Sequence, residues 1–385
     1  MPENHYISRY YNKLENYCLP GKVLVIYGPR QVGKTTLIKH FLSTTPFKFK
    51  LDSGDNAALQ INLASLEFKT IHNYVEGYEL VVIDEAQKIP HIGDCLKIMI
   101  DQHPSLRIIA TGSSSFELAG QIGEPLTGRK KTLTLYPFAQ LELIELYNSY
   151  ELKEKLEDFL IYGSYPEVIE AKTLVEKREY ITEITYSYLL KDILALDKIK
   201  NSKTLLELLR LLAFQVGNEV SYHELAQKLM IDSKTVSRYL DLLEKAFVIY
   251  NLRGFSRNLR KEITKKSKYF FYDNGIRNAL IANFNSLSLR DDVGRLWENF
   301  LTMERIKKQS YHQLYANNYF WRTWDQKEID FVEEREGNLF GYEFKWGKQQ
   351  VKIPKDWKIT YPEAHFKTIN QENYLEFIVS KEEKS

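Results

Sequence analysis

The run Gly28-Pro29-Arg30-Gln31-Val32-Gly33-Lys34-Thr35-Thr36 constrains this chain more than any other feature. It satisfies G-x-x-x-x-G-K-[ST] in full, directly after the expected strand Val23–Tyr27 and ahead of a helical stretch at 36–42. Glycines at both ends let the backbone turn so that its N–H groups face a phosphate at the positive end of a helix. Lys34 is placed to neutralise β- and γ-phosphates, and the Thr35 hydroxyl to ligate Mg²⁺. The nine residues from Gly28 to Thr36 together form a candidate ATP cradle.

Such a loop needs buried strands behind it, and two more runs supply them. Leu80-Val81-Val82-Ile83 ends in Asp84-Glu85, and Leu106-Arg107-Ile108-Ile109-Ala110 ends in Thr111-Gly112-Ser113-Ser114-Ser115. Short apolar runs that alternate with helical stretches predict a parallel sheet covered on both faces. Asp84 is the candidate Mg²⁺ partner, acting through a water, and Glu85 the candidate general base for the attacking water. Ser113 is the choice for a polar group beside the γ-phosphate. Arg129, in Leu126-Thr127-Gly128-Arg129, is a candidate for stabilising transition-state charge, in cis or from a neighbouring subunit of a homo-oligomer.

At 385 residues the chain exceeds one ordinary core. Two cysteines, Cys18 and Cys95, exclude a disulfide framework or a four-cysteine zinc site. The first residues carry no apolar signal-peptide core, and no stretch approaches 18 uninterrupted apolar residues. A cytoplasmic protein without a membrane partner is the expectation. Pattern changes divide the chain into a P-loop core at 1–137, a helical lid region at 138–202, a winged helix-turn-helix at 203–285 and a C-terminal domain at 291–385.

In the third segment, 221–229 reads as a capped helix, and Ser233 as the N-cap of a second helix running to Lys245. Val236, Tyr239, Leu240 and Leu243 share one face of it, while Lys234, Thr235, Ser237 and Arg238 point away, where a recognition helix meets DNA. Strands at 248–252 and 269–273 are the expected wing. Between them lie Arg253, Arg257, Arg260, Lys261, Lys265, Lys266 and Lys268, a basic set suited to DNA phosphates.

Near the C-terminus, Glu298 lies on an amphipathic helix at 293–308, Asp330 on a strand at 328–332, and Glu343 and Lys345 on the next at 341–345. Glu343 and Lys345 share one strand face, which Asp330 can meet from the neighbouring strand and Glu298 from the covering helix. Glu298, Asp330 and Glu343 are the candidate metal ligands, with Asp330, Glu343 and Lys345 as candidate catalytic residues for phosphodiester hydrolysis. The arrangement resembles the PD-(D/E)xK nucleases.

Taken together, the chain resembles a prokaryotic AAA-type ATPase group with a DUF4143-type C-terminal region. The resemblance rests on 28–36, 81–87, 111–115, 126–129, Gly163-Ser164-Tyr165-Pro166-Glu167, 297–300, Asp330 and 343–345. It departs at Ser164, where a second glycine is usual. It implies an α/β fold: a P-loop ATPase core with a parallel sheet, a helical and winged-helix region, and a restriction-endonuclease-like end. The expected function is ATP binding and hydrolysis near DNA, with nucleotide state controlling the winged helix and a metal-dependent deoxyribonuclease site. The alternative is an ATP-driven regulatory switch or protein remodeller whose nuclease-like end is an inactive binding module.

Overall fold

The computed structural model describes residues 6–112, 125–189, 202–255, 267–323 and 326–380. They form two compact units, the first built mainly on the chain up to Tyr136 and the second on most of the chain from Pro137 onward.

The first unit holds β1 (Val23–Tyr27), α1 (Lys34–Thr44), β2 (Phe49–Ser53), α2 (Ala57–Ala64), α3 (Phe68–Val75), β3 (Leu80–Asp84), α4 (Ile92–Gln102), β4 (Arg107–Thr111) and β5 (Lys130–Thr134). All five strands are parallel, in the order β2-β3-β4-β1-β5. The central strands β1, β3 and β4 are the three apolar runs of the sequence, and their side chains are almost wholly buried. β2, with Lys50 and Asp52 among its five residues, takes the exposed edge. The insertion of β4 between β1 and β3 puts the end of β4 between the glycine loop and Asp84.

In the second unit the main helices and strands are α5 (Leu156–Tyr162), α6 (Leu174–Glu183), α7 (Ser202–Phe214), α8 (Tyr222–Leu229), α9 (Ser233–Lys245), β6 (Ile249–Gly254), β7 (Ser267–Phe271), α10 (Asn274–Leu280), α11 (Val293–His312), β8 (Asn317–Arg322), β9 (Glu328–Arg335), β10 (Asn338–Phe344), β11 (His365–Ile369) and α12 (Tyr374–Val379). α8 begins at Ser221, whose hydroxyl accepts from Glu224 N–H. The cap of α9 differs from the expected one: Asp232, not Ser233, accepts from Thr235 N–H at 2.8 Å and from its hydroxyl at 2.7 Å. A carboxylate carries full charge at the positive helix end, so the acid outcompetes the neighbouring hydroxyl.

The expected wing strands pair antiparallel, and β6 also pairs parallel with β8. One six-stranded sheet results, β11-β10-β9-β8-β6-β7, so no break in the sheet separates 203–285 from 291–385. β9 and β10 form a hairpin turned by Glu336 and Gly337, both at positive φ, which suits the twist of the flanking strands. α11 docks on this sheet through polar anchors. The Asn299 amide bonds both N–H and C=O of Phe271 in β7, and Arg305 forms a buried two-pronged pair with Glu333 in β9. The Gly163-Ser164 motif is explained here too. Gly163 sits at φ +80°, where a Cβ would overlap the Asp273 carboxylate, and Ser164 N–H donates to that carboxylate at 2.8 Å.

Candidate nucleotide and carboxylate sites

The glycine loop leaves β1 at Gly28, whose φ of +144° and contact with the Leu135 carbonyl leave no space for a side chain. Gly33, at φ +91°, starts α1. Lys34 is buried and its ammonium donates to the carbonyls of Gly28 and Pro29, both at 2.8 Å, so it arches back over the loop. Thr35 donates its hydroxyl to Asp84 Oδ2 at 2.8 Å. Thr111, the last residue of β4, donates to Asp84 Oδ1 and accepts from Glu85 N–H at 3.1 Å. The strand order thus brings Lys34, Thr35, Asp84, Glu85 and Thr111 to one end of the sheet.

Glu85 stands in the left-handed backbone region at φ 51°, uncommon for a residue with a side chain and a form of strain that collects at working sites. The turn is held by Gly54, which donates to Asp84 O at 2.7 Å and whose missing Cβ would overlap the Glu85 carbonyl. Gln87 donates to Glu85 Oε2 at 2.6 Å, orienting the carboxylate.

Arg129 does not join this cluster. Its carbonyl accepts from Val23 N–H, at the start of β1, and its guanidinium pairs with Asp101 at 3.1 Å. A five-residue strand rises about 3.3 Å per residue, which puts Arg129 about 16 Å from the loop end of β1. A role in cis is thereby corrected. Ser113 lies outside the described residues. Two contributors escaped the sequence reading. Thr111 was legible only as a strand end, and Arg9, far from any motif, bonds the loop carbonyl of Val32.

A second cluster lies in the other unit, where α11, β7, β9 and β10 meet. Carboxylate oxygens of Glu298, Glu328 and Asp330 lie within 4.8 Å of one another. Glu343, an expected ligand, is not among these three, whereas Glu328, two residues before Asp330 on the same strand face, is. Glu343 is instead held by Lys345 at 2.6 Å, while Asp330 accepts from Phe344 N–H at 2.7 Å. Gly217 makes room for Glu298, since a Cβ there would come within 2.9 Å of Oε2.

Lys268 overturns a further expectation. Counted in the sequence with the DNA-facing basic set, it is 3% exposed and pairs with Glu298 at 3.0 Å and with Glu328. Arg257, Arg260, Lys261, Lys265 and Lys266 lie outside the described residues. Burial, with the Asp330 charge adding to it, pushes Glu298 up to about 8 against the opposing pull of Lys268. Glu343 is pushed up to about 7 by burial and by Asp330. Asp330 is raised by burial as well, with Lys268 working the other way. Burial disfavours the charged form of Lys268, yet Glu298, Glu328 and Asp330 outweigh it and hold the ammonium well above its ordinary range.

Comparison with known proteins bears on both clusters. Residues 20–144 match an AAA domain, spanning the glycine loop, Asp84-Glu85 and Thr111. Residues 293–371 match a domain of unknown function, DUF4143, and 153–287 match another, DUF8612. Two separate stretches of the chain thus resemble an AAA domain and DUF4143. An AAA domain marks a nucleotide-binding ATPase in general terms. Of the carboxylate cluster, Glu298, Glu328 and Asp330 fall in DUF4143, whereas Lys268 falls in DUF8612. An uncharacterized protein of Mycobacterium tuberculosis is 28% identical over 337 residues, covering 84% of this chain and 70% of the relative. One of Methanocaldococcus jannaschii is 25% identical over 405 residues, covering 96% and 87%. One of Haemophilus influenzae is 23% identical, covering 93% and 88%. Among the described residues, no helix is long and apolar enough to cross a membrane.

Proposed function

We propose that the protein binds and hydrolyses ATP at 28–36 and uses the nucleotide cycle to control a DNA-associated second unit. The observation that carries this reading is Asp84, which ties the Thr35 hydroxyl to the end of β4 beside Glu85. Mg²⁺ fits there. The Thr35 hydroxyl and the Asp84 carboxylate, whose oxygens lie 2.8 Å apart, would hold the ion, Thr35 directly and Asp84 through a water. When bound, Mg²⁺ neutralises charge on the β- and γ-phosphate oxygens. Lys34 leaves the two loop carbonyls for phosphate oxygens, and Glu85, steered by Gln87, takes the proton of the attacking water.

For the second unit, the exposed Lys234, Ser237 and Arg238 on α9 and the exposed Arg253 on β6 favour a nucleic acid partner through a winged-helix surface. The three carboxylates suit one divalent cation, and Lys345 beside Glu343 suits phosphodiester hydrolysis of the PD-(D/E)xK kind. A second reading, a regulatory switch or remodeller with an inactive binding module, is favoured by Lys268, whose buried ammonium already partners two of those carboxylates.

Lys34→Ala is expected to abolish tight ATP binding or turnover. Glu85→Gln is expected to bind ATP and to turn over at least ~10²-fold more slowly. Normal hydrolysis by either variant ends the ATPase assignment of that residue. DNA cleavage with Mg²⁺ or Mn²⁺, with and without ATP, separates the nuclease from the inactive module.

A further inference from the structure

The N-terminal segment ahead of β1 packs against the nucleotide loop without belonging to any motif. Tyr6 stacks on His40 of α1, with ring centroids 3.8 Å apart and planes 11° from parallel. Tyr11 and Leu14 are buried. Between Tyr6 and Tyr11, Arg9 is 5% exposed, and its guanidinium donates through Nη1 to the Val32 carbonyl at 2.5 Å and through Nη2 to the Tyr136 carbonyl at 2.7 Å. Gly33 stands beside it: the nearest atom to a Cβ built there is Arg9 Nη1, at 3.7 Å.

The Val32–Gly33 peptide is planar and trans, so its C=O and N–H point in opposite directions. Whatever holds the Val32 carbonyl also aims the Gly33 N–H. That aim needs holding, because glycine populates positive and negative φ about equally and a peptide beside it turns at little cost. A turned peptide would direct a carbonyl dipole, instead of an N–H, at bound phosphate. The planar fork of a guanidinium suits this task, since two donors at fixed spacing reach two carbonyls at once. A lysine ammonium on its flexible stem carries no such fixed fork.

We propose that Arg9 is a positioning residue for the phosphate loop, fixing the Val32–Gly33 peptide so that the Gly33 N–H serves as a phosphate donor. The inference rests on the nucleotide reading of 28–36. Its consequence is that nucleotide affinity depends on a residue 19 positions before the loop begins.

The test uses the full chain and measures Kd for ADP and for a non-hydrolysable ATP analogue, kcat and KM for ATP, and the melting temperature of the apo protein. Arg9→Met is expected to raise both Kd values and KM about tenfold or more, the scale of one charge-assisted hydrogen bond, with a smaller fall in kcat at saturation. Arg9→Lys should keep the apo melting temperature near that of the wild type and still bind nucleotide several-fold more weakly. Guanidinium chloride at low millimolar concentration should restore affinity to Arg9→Ala, a response that lost packing alone would not give. Nucleotide affinity within twofold of wild type in Arg9→Lys and Arg9→Met overturns the proposal. So does weakened binding by Arg9→Ala that guanidinium leaves unchanged. If Arg9→Met does not fold, Arg9→Lys and the guanidinium series decide alone. Loss of binding in Lys34→Ala with unchanged binding in Arg9→Lys overturns the role of Arg9 and leaves the nucleotide site standing. A wild-type protein that binds no nucleotide overturns both.

Discussion

Thr111 is a single hydroxyl with two obligations: it donates to Asp84 and accepts from the Glu85 backbone. Removing it frees the Asp84 carboxylate and loosens the strained Glu85 turn at once. Thr111→Val keeps the shape of the buried side chain and deletes only the hydroxyl. A hydrogen bond to a charged group contributes about 1.5–3 kcal/mol, so kcat for ATP is expected to fall at least ~10-fold. Thr111→Ser should keep most of the rate. Steady-state ATPase assays on the two variants check this, and equal rates for valine and wild type would remove Thr111 from the site. The sequence could mark the end of β4 as a polar terminus but not which hydroxyl faces inward. Alternation along a strand gives the face only once the pairing register is known, and Ile26 opposite Thr111 supplies it.

Elements were legible where periodicity was strong and less so where long-range pairing decided. The three central strands of the first sheet and the long helix at 293 could be read from apolar runs and 3.6-residue spacing. What local pattern could not give was the parallel pairing of β6 with β8, which depends on residues more than sixty positions apart. Nor could it give the polar network that seats the start of α11. There the Asp292 carboxylate accepts from Arg277 at 2.5 Å and from Arg290 at 2.8 and 2.9 Å. Burial alone would push Asp292 up, but the hydrogen bonds from Arg290 and the charge of Arg277 outweigh it and hold the carboxyl at about 2. A depressed folded value means stability that is full above the unfolded value near 3.9 and is lost as pH falls toward about 2. Asp292→Asn strands two guanidinium groups and is expected to cost about 3 kcal/mol at pH 7. Urea unfolding of wild type and variant at pH 7 and pH 3 tests the sign: the gap between them should narrow at pH 3. A gap that stays constant would show that the charge of Asp292 is not what stabilises the start of α11.

At the scale of the whole chain, the least legible feature was the membership of the C-terminal sheet, and Lys268 carries the consequence. In the sequence it sits at the end of a basic run and reads as one more phosphate contact. In the fold, β7 joins the sheet that also holds β9, and the lysine is drawn in to face Glu298 and Glu328. Asp330 completes the cluster. Three carboxylates against one ammonium leave a charge of two minus when all are ionised, the complement of a single divalent cation. Lys268→Met removes the ammonium and keeps most of the apolar stem. In EDTA the variant leaves three half-buried acids without their cation, so its melting temperature should drop by several degrees. Millimolar Mn²⁺ should then stabilise Lys268→Met more than it stabilises the wild type, because the ion takes over the neutralising role at the same oxygens. Adding Glu328→Gln to that variant should shrink the Mn²⁺ effect by removing one of the three ligands. Thermal melts of the three proteins in EDTA and in Mn²⁺ decide the matter. If Mn²⁺ leaves Lys268→Met where EDTA puts it, the carboxylates are a lysine-bound strut and not a cation site, and the inactive-module reading of the second unit prevails.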